Sequence, residues 1–205
     1  MAHLIDAIEA LRGSGTRVMI GLVGPPGVGK STVAQALSVA LGQQGATVAV
    51  VPMDGFHLAN AELARLGLSS AKGRVDTFDG WGYAALLRRL RANTEPVVYA
   101  PIYDRGIEES VGSALPVRQD IEVVITEGNY LLLDDRPWTD AAAVLDQTWY
   151  LDLDDDLRRS RLIARHEQVG KAPEAARAWV ESVDQPNAQV IAATRHRATR
   201  AIEVW

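Results

Sequence analysis

The order of apolar and polar positions divides the chain into alternating strands and helices. Short apolar runs rich in β-branched residues indicate buried strands, and they cover Val18–Val23, Ala46–Pro52, Ile121–Gly128 and Thr148–Leu153. Apolar residues at three- and four-residue spacing predict amphipathic helices, and these segments are Met1–Arg12, the stretch that ends at Leu41, Asn60–Leu66, the stretch between Gly82 and Glu95, Asp156–Gln168 and Pro173–Val183. This alternation predicts an α/β fold, a three-layer αβα sandwich with a parallel sheet.

Other segments predict a hairpin and the ends of the fold. Val97–Asp104 indicates a strand whose internal proline favours an edge or a bulge, and Val111–Arg118 is its expected partner. Gly13–Gly15 predicts the turn into the first strand, and Ala201–Trp205 predicts the last strand. Asp184–Asn187 contains a proline, so we expect one helix to end there and the final helix to begin.

Composition limits the kinds of partner. The chain has 205 residues, 47% of them hydrophobic and 23% charged, which predicts a single globular domain over residues 1–205. A net charge of −5 gives no attraction to nucleic acid or to an anionic membrane. The uncharged stretch from Ser31 to Met53 contains glutamine, glycine and proline, so we expect no membrane insertion. Acidic residues in the first helix argue against a secretory signal, and the lack of cysteine suits a reducing cytoplasm.

The segment Gly24–Thr32 fits the phosphate-loop pattern G-x-x-x-x-G-K-[ST] between a predicted strand and a predicted helix. Its glycines allow backbone N–H groups to approach a polyphosphate, and the helix N-terminus adds partial positive charge. Lys30 would reach the β- and γ-phosphates, and the Ser31 hydroxyl would ligate Mg²⁺. The expected nucleotide-binding residues are Gly24, Gly27, Val28, Gly29, Lys30, Ser31 and Thr32.

Two acids follow predicted strands at the sheet edge that carries the phosphate loop. Asp54 comes after the second strand, where it would accept a proton from an attacking hydroxyl or cap an Asx turn before Gly55. The residues leave both roles open. Glu127 ends a β-branched strand and is followed by glycine, the form of a Walker B acid that touches Mg²⁺ or its water shell. Ligands of such sheets bind beyond the carboxyl ends of the strands, so both acids are expected at one site.

The helix from Asp156 to Gln168 carries an unusual number of cations. We expect Arg158 and Arg159 to be solvated and paired with the acids that begin the helix. For Arg161 and Arg165 a second role is equally favoured, as lid residues that close over the phosphates and stabilise the transferring group. The lid would span roughly residues 156–186.

Several motifs together resemble one branch of the P-loop kinases, that of pantothenate kinase, uridine kinase and phosphoribulokinase. The resemblance covers nearly the whole chain, and its carriers are Gly24–Thr32, Asp54–Phe56, Lys72–Gly73, Asp76–Asp79, Tyr103–Asp104, Thr126–Tyr130 and Thr194–Ala198. A small bacterial subgroup often labelled fructose transport system kinase is the most similar, through its D-G-F-H-L, R-H-x-x-x-G-K and D-x-P-N motifs. Here these are Asp54–Leu58, Arg165–Lys171 and Asp184–Asn187.

The resemblance implies a kinase that uses ATP and Mg²⁺ to phosphorylate a hydroxyl of a small molecule. Its catalytic residues would be Lys30, Asp54, Glu127, Arg161 and Arg165, with Ser31 and Glu127 at the metal. It implies acceptor-binding roles for His57, Lys72, Tyr103, Arg105, Tyr130 and Asn187, and adenine contacts for Arg195 and Arg197. The expected acceptor is a sugar resembling fructose, with pantothenate or a nucleoside as the alternative. A homodimer is a separate expectation.

A different class of protein is a module that binds ATP and reports to a transport system without catalysis. The lid arginines and Asp54 argue against it, because a sensor needs neither. A GTPase switch is disfavoured because the chain has no N-K-x-D segment.

Overall fold

The computed structural model describes residues 1–13 and 15–204. Its strands are β1 (Val18–Val23), β2 (Val48–Pro52), β3 (Val97–Asp104), β4 (Glu109–Arg118), β5 (Val123–Gly128), β6 (Gln147–Asp152) and β7 (Arg200–Glu203). Its helices are α1 (Ala2–Arg12), α2 (Lys30–Gln43), α3 (Asn60–Leu66), α4 (Gly80–Ala92), α5 (Trp138–Ala142), α6 (Asp155–Gln168), α7 (Pro173–Trp179) and α8 (Gln185–Ala192). Ser14, in the predicted first turn, and Trp205, at the predicted end of the last strand, lie outside the described residues.

Within the described residues the central sheet has five strands in the order β2-β5-β1-β6-β7, and every neighbouring pair is parallel. Side chains of β1 alternate between two cores: Ile20 and Leu22 pack with α1 and α2, while Met19 and Val23 pack with α4 and α5. Burial on both faces explains why β1 is apolar without interruption. The three-layer α/β architecture predicted from the sequence is confirmed.

The β3–β4 hairpin packs on the turn that follows β2. Its antiparallel register shifts between Ala100 and Ile102, so the bulge expected at Pro101 is present. A Cβ on Gly55 would lie 2.4 Å from the carbonyl oxygen of Pro101. Glycine is therefore required beside Asp54 because the hairpin backbone passes so close.

The predicted break at Asp184 is wrong. A π-helical turn over Val180–Asp184 joins α7 directly to α8. Pro186 has no backbone N–H to donate. In a regular α-helix its ring would also clash with the carbonyl of the residue four positions before it. The wider hydrogen-bond spacing of the π turn accommodates the proline without ending the helix. No helix in the described part of the chain combines the length and apolar character needed to cross a membrane.

Candidate active site

The phosphate loop connects β1 to α2, and its surface is mainly backbone. A Cβ on Gly27 (φ 83°) would come within 2.7 Å of Leu162 on α6, and one on Gly24 would come within 2.8 Å of the Leu151 carbonyl oxygen of β6. A Cβ on Gly29 would meet no atom within 4 Å, but the φ of 97° lies in the left-handed region. The backbone conformation itself therefore requires glycine at this position. With no side chain at Gly29 to cap α2, the first N–H groups of the helix point at the loop and form an anion-binding end.

Lys30 is held at the centre of this loop. Its Nζ donates to the carbonyl oxygens of Gly24 at 2.9 Å and Pro25 at 3.2 Å and to Oδ1 of Asn129 at 2.7 Å. Burial lowers the pKa of Lys30, and the carboxylates of Glu127 and Asp54 oppose that shift. The sequence places Asn129 within the Thr126–Tyr130 motif, directly after Gly128 at the end of β5, but does not predict its contact with Lys30.

Glu127 and Ser31 form the second part of the site. The Ser31 hydroxyl donates to Oε1 of Glu127 at 2.7 Å. Glu127 is 5% exposed, and burial raises the pKa of its carboxyl group while the Lys30 ammonium lowers it. Residues 1–13 and 15–204 contain no group of three or more His, Asp or Glu side chains suited to holding a metal. A hydroxyl and a carboxylate oxygen fit Mg²⁺, which prefers oxygen ligands and is usually held by few protein groups plus phosphates.

Asp54 lies beside Glu127 at the same sheet edge. Pro52 of β2 is the register partner of Glu127 in β5, so the turn after β2 begins next to that acid. The Asp54 side chain is 36% exposed, and its Oδ2 is 3.9 Å from Nη2 of Arg105. No hydrogen bond joins its carboxylate to a backbone N–H in the described part of the chain, so it does not cap an Asx turn here.

The cations of α6 occupy three different environments. The expectation that Arg158 is solvated is wrong: its side chain is 1% exposed, although it does pair with Asp155 as expected, at 2.6 Å. Arg159 pairs with Glu181. Arg161 and Arg165 are exposed and form no ion pair with a described residue. Shielding of the charged end of Arg165 from water lowers its pKa, and the nearby cation of Arg105 adds to this.

Arg165 is electrostatically linked to the site. The carboxylates of Asp184 and Asp54 oppose the lowering of its pKa. Arg165 in turn contributes to lowering the pKa of Lys30.

His57, Lys72 and Tyr103 cluster next to Asp54. The Nδ1–H of His57 donates to the backbone carbonyl of Asp54 at 2.8 Å, and the ring lies 4.0 Å from that of Phe78 and 4.8 Å from that of Tyr103. The Lys72 ammonium is 5.1 Å from the centre of the Tyr103 ring. Burial lowers the pKa of His57 and raises that of Tyr103 to about 12. With Arg105, these groups gather aromatic faces and cations beside Asp54, and this cluster is here called the crevice.

Tyr130 and Asn187 act on one backbone group. The Tyr130 hydroxyl donates to the Gly73 carbonyl at 2.6 Å, and Nδ2 of Asn187 donates to the same oxygen at 3.4 Å. Burial raises the pKa of Tyr130, with Asp76 the next cause. Both side chains therefore hold the loop after Lys72 and are not directed at Asp54 itself.

Arg195 and Arg197 lie in a short 3-10 turn before β7. Nε of Arg195 donates to Oδ2 of Asp152 at 2.9 Å, and Arg197 pairs with Asp134. Asp152 ends β6, the parallel neighbour of β1. The Arg195 side chain therefore reaches the same edge of the sheet as the phosphate loop. Thr32, which is also predicted to bind the nucleotide, is exposed on α2.

The chain is similar to known proteins over most of its length. A family profile described as methylmalonyl Co-A mutase-associated GTPase MeaB matches residues 2–57, which contain the phosphate loop and Asp54. The ATP-dependent kinase-like protein notR' of Aspergillus versicolor is 36% identical over 152 residues, 70% of this chain and 88% of that protein. A Schizosaccharomyces pombe protein provisionally named uridine kinase is 36% identical over 166 residues, 78% of this chain and 70% of its own length.

A solved structure is similar over the whole fold. It is that of a protein from Silicibacter sp. TM1040 with the provisional name fructose transport system kinase, and it matches with a TM-score of 0.89 at 35% identity over 98% of both chains.

Proposed function

Because the chain belongs to the P-loop kinase family that includes uridine kinase, pantothenate kinase and phosphoribulokinase, we propose that it transfers the γ-phosphate of ATP to a hydroxyl of a small metabolite. The observation that carries this proposal is the pairing of β2 with β5, in which Pro52 lies opposite Glu127. Two carboxylates from separate strands thereby share one edge with Lys30, whose pKa responds to both.

Each residue of the site has a defined task in this reaction. Lys30 and the backbone of the phosphate loop bind and orient the triphosphate. Ser31 and Glu127 would hold Mg²⁺, which would supply positive charge to the phosphate oxygens. Asp54 accepts the proton of the attacking hydroxyl. Arg165, with Arg161 about one turn earlier on the lid helix, brings positive charge over the transferred group and helps to exclude water.

The acceptor lies in the crevice of His57, Lys72, Tyr103 and Arg105. We propose a sugar as the acceptor because its hydroxyls suit imidazole, ammonium and guanidinium groups and its ring faces pack on aromatic side chains. The similarity to the protein named fructose transport system kinase supports this choice. Tyr130 and Asn187 position the adjoining loop, and Arg195 and Arg197 contact the adenine ring.

The proposal is tested by a screen of ATP consumption coupled to ADP detection. Hexoses, pentoses, nucleosides, pantothenate and glycerate are each added with Mg²⁺. We expect one class to raise turnover well above the basal rate, and a sugar to do so most strongly. Binding of an ATP analogue is measured alongside. If the analogue binds and every acceptor leaves the rate unchanged, catalysis is refuted and an ATP-sensing module replaces it. Activity with pantothenate or a nucleoside alone refutes the sugar.

A further inference from the structure

The tetrapeptide Asp184–Asn187, here called the bridge segment, contacts the lid helix and the acceptor loop. Oδ2 of Asp184 is 2.9 Å from Nε2 of His166 on α6. Oε1 of Gln185 accepts a hydrogen bond from Nη2 of Arg158, also on α6. Asn187 donates to the carbonyl of Gly73. One helical turn therefore joins side chains that are remote in sequence.

Arg158 extends this connection to the phosphate loop. Its Nη1 donates to the carbonyl oxygen of Pro26 at 3.2 Å, and its Nε and Nη2 donate to Asp155 at 3.1 and 2.6 Å. Nε2 of Gln185 donates to the other carboxylate oxygen of Asp155 at 3.2 Å. A buried guanidinium is stable only when it is paired and fully hydrogen bonded. Gln185 thus orients the group that holds the Pro26 carbonyl.

At its other end the bridge segment reaches the loop of Lys72 and Gly73. The Gly73 carbonyl accepts from Asn187 and Tyr130, and the Gly73 N–H donates to Oγ1 of Thr77 at 3.0 Å. Lys72 in this loop borders the acceptor crevice through its contact with the Tyr103 ring. The conformation of the acceptor loop is therefore tied to the position of α8.

The π turn over Val180–Asp184 orients the bridge segment. In a regular α-helix each side chain is rotated by 100° from the one before it. The wider π turn changes this rotation, so the side chains of residues 184, 185 and 187 point in different directions relative to α7. π turns of this kind occur frequently at functional sites. The buried side chains of Asp184 and Asn187 sit on the two ends of the segment, facing α6 and Gly73 respectively.

We propose that the bridge segment couples nucleotide occupancy of the phosphate loop to the order of the acceptor loop, with Arg158 and Gln185 as positioning residues. The inference rests on the proposed function, because it requires a nucleotide at the phosphate loop. A phosphate bound to the backbone of that loop fixes the Pro26 carbonyl and hence Arg158. Gln185 passes this constraint to α8, and Asn187 passes it to Gly73. Coupling of this kind is a difference in free energy between two sites and is therefore measurable from either one.

Hydrogen exchange is the direct test. Exchange of the backbone amides in residues 72–78 is followed by mass spectrometry with and without saturating AMP-PNP and Mg²⁺, and calorimetry gives the affinity for AMP-PNP. In the wild type we expect AMP-PNP to slow exchange in this segment. In Gln185→Ala the affinity should fall roughly tenfold, the equivalent of one hydrogen bond to a charged group. The slowing at 72–78 should also disappear.

Three further variants separate coupling from a purely structural role. Asn187→Ala should lose the slowing while its affinity for AMP-PNP stays within about twofold, because the contacts to the phosphate loop remain. Gln185→Glu keeps an oxygen for Arg158 but loses the N–H that donates to Asp155, so it should recover only part of the affinity. Gln189→Ala, an exposed position on the same helix, should match the wild type. Thermal unfolding checks that each variant is folded. If Gln185→Ala is not folded, Asn187→Ala alone tests the coupling.

The outcomes are distinct. If wild-type protein binds AMP-PNP but shows no slowing at 72–78, or if Asn187→Ala keeps it, the coupling is refuted and the kinase proposal stands. An unaltered affinity in Gln185→Ala refutes its positioning role. If wild-type protein does not bind AMP-PNP, the proposed function fails and the inference fails with it.

Discussion

The two halves of the site are built in different ways. The phosphate side is one continuous segment, in which β1, a glycine-rich turn and α2 follow each other from Val18 to Gln43. The proposed acceptor side collects His57, Lys72, Tyr103 and other groups from separate segments, including the hairpin and α8. The first half presents mainly backbone N–H groups, and the second presents side chains held by one another. In the proposed kinase, binding of phosphate would therefore depend on local sequence, whereas choice of acceptor would depend on tertiary packing.

The largest expected effect is on kcat, and it distinguishes the two exposed arginines of the lid. Arg165 is linked electrostatically to Asp54 and Lys30, and Arg161 lies about one helical turn earlier on α6. We expect Arg165→Ala to lower kcat by about 10³ or more, as for arginines that stabilise a transferring phosphoryl group. The matched variant Arg161→Ala should lower it less than about tenfold. Steady-state kinetics with the acceptor found in the screen measures both, and equal losses would show that the lid closes differently.

Asp54 offers the next largest effect. Asp54→Asn keeps the size of the side chain and removes the proton acceptor, so we expect kcat to fall by about 10²–10⁴. Affinity for an ATP analogue should be retained, because Asp54 borders the phosphate loop without supplying its N–H groups. Asp120→Asn, an exposed carboxylate at the other end of the sheet, is the control. A full transfer rate in Asp54→Asn would remove this residue from the chemistry.

Glycines show the same contrast in stability. Gly55→Ala places a methyl group 2.4 Å from the Pro101 carbonyl, so the hairpin must move. We expect the free energy of unfolding to fall by about 1–3 kcal/mol. Gly42→Ala in α2 meets no atom within 4 Å and should raise it by about 0.5–1 kcal/mol, as alanine is the better helix former. Urea unfolding measures both changes, and a Gly55→Ala protein as stable as the wild type would contradict the close packing described for the hairpin.

The same distinction explains what the sequence could predict. β1, α3 and β3 have the predicted bounds because their patterns are local. The register of Pro52 with Glu127 follows from the parallel topology, and both acids could be expected at one edge. Burial of Arg158 could not be predicted, because its partners Pro26 and Gln185 come from distant segments. The prediction of a helix break at Asp184 was wrong because a π turn can accommodate a proline. No local sequence pattern distinguishes such a turn from the end of a helix.

The smallest expected effect concerns the protonation of His57, whose pKa is lowered mainly by burial against Phe78 and Tyr103. The cations of Lys72 and Arg105 lower it further, and Asp54 opposes them. In the unfolded chain the imidazole has its ordinary pKa of 6.5, so there it binds a proton at a pH where the folded protein does not. The contribution of His57 to stability is therefore complete above about pH 6.5 and decreases as the pH falls towards the folded-state pKa.

His57→Gln removes this titration, so we expect the wild type to lose more stability than the variant between pH 7.5 and 5.5. Urea unfolding at several pH values gives the difference in unfolding free energy between them. His3→Gln replaces an exposed histidine on α1 and should keep the pH dependence of the wild type. Parallel curves for the wild type and His57→Gln would mean that this imidazole remains accessible to water when the protein is folded. The acceptor crevice would then be looser than its ring contacts indicate, and the contrast with the tightly packed phosphate loop would be greater.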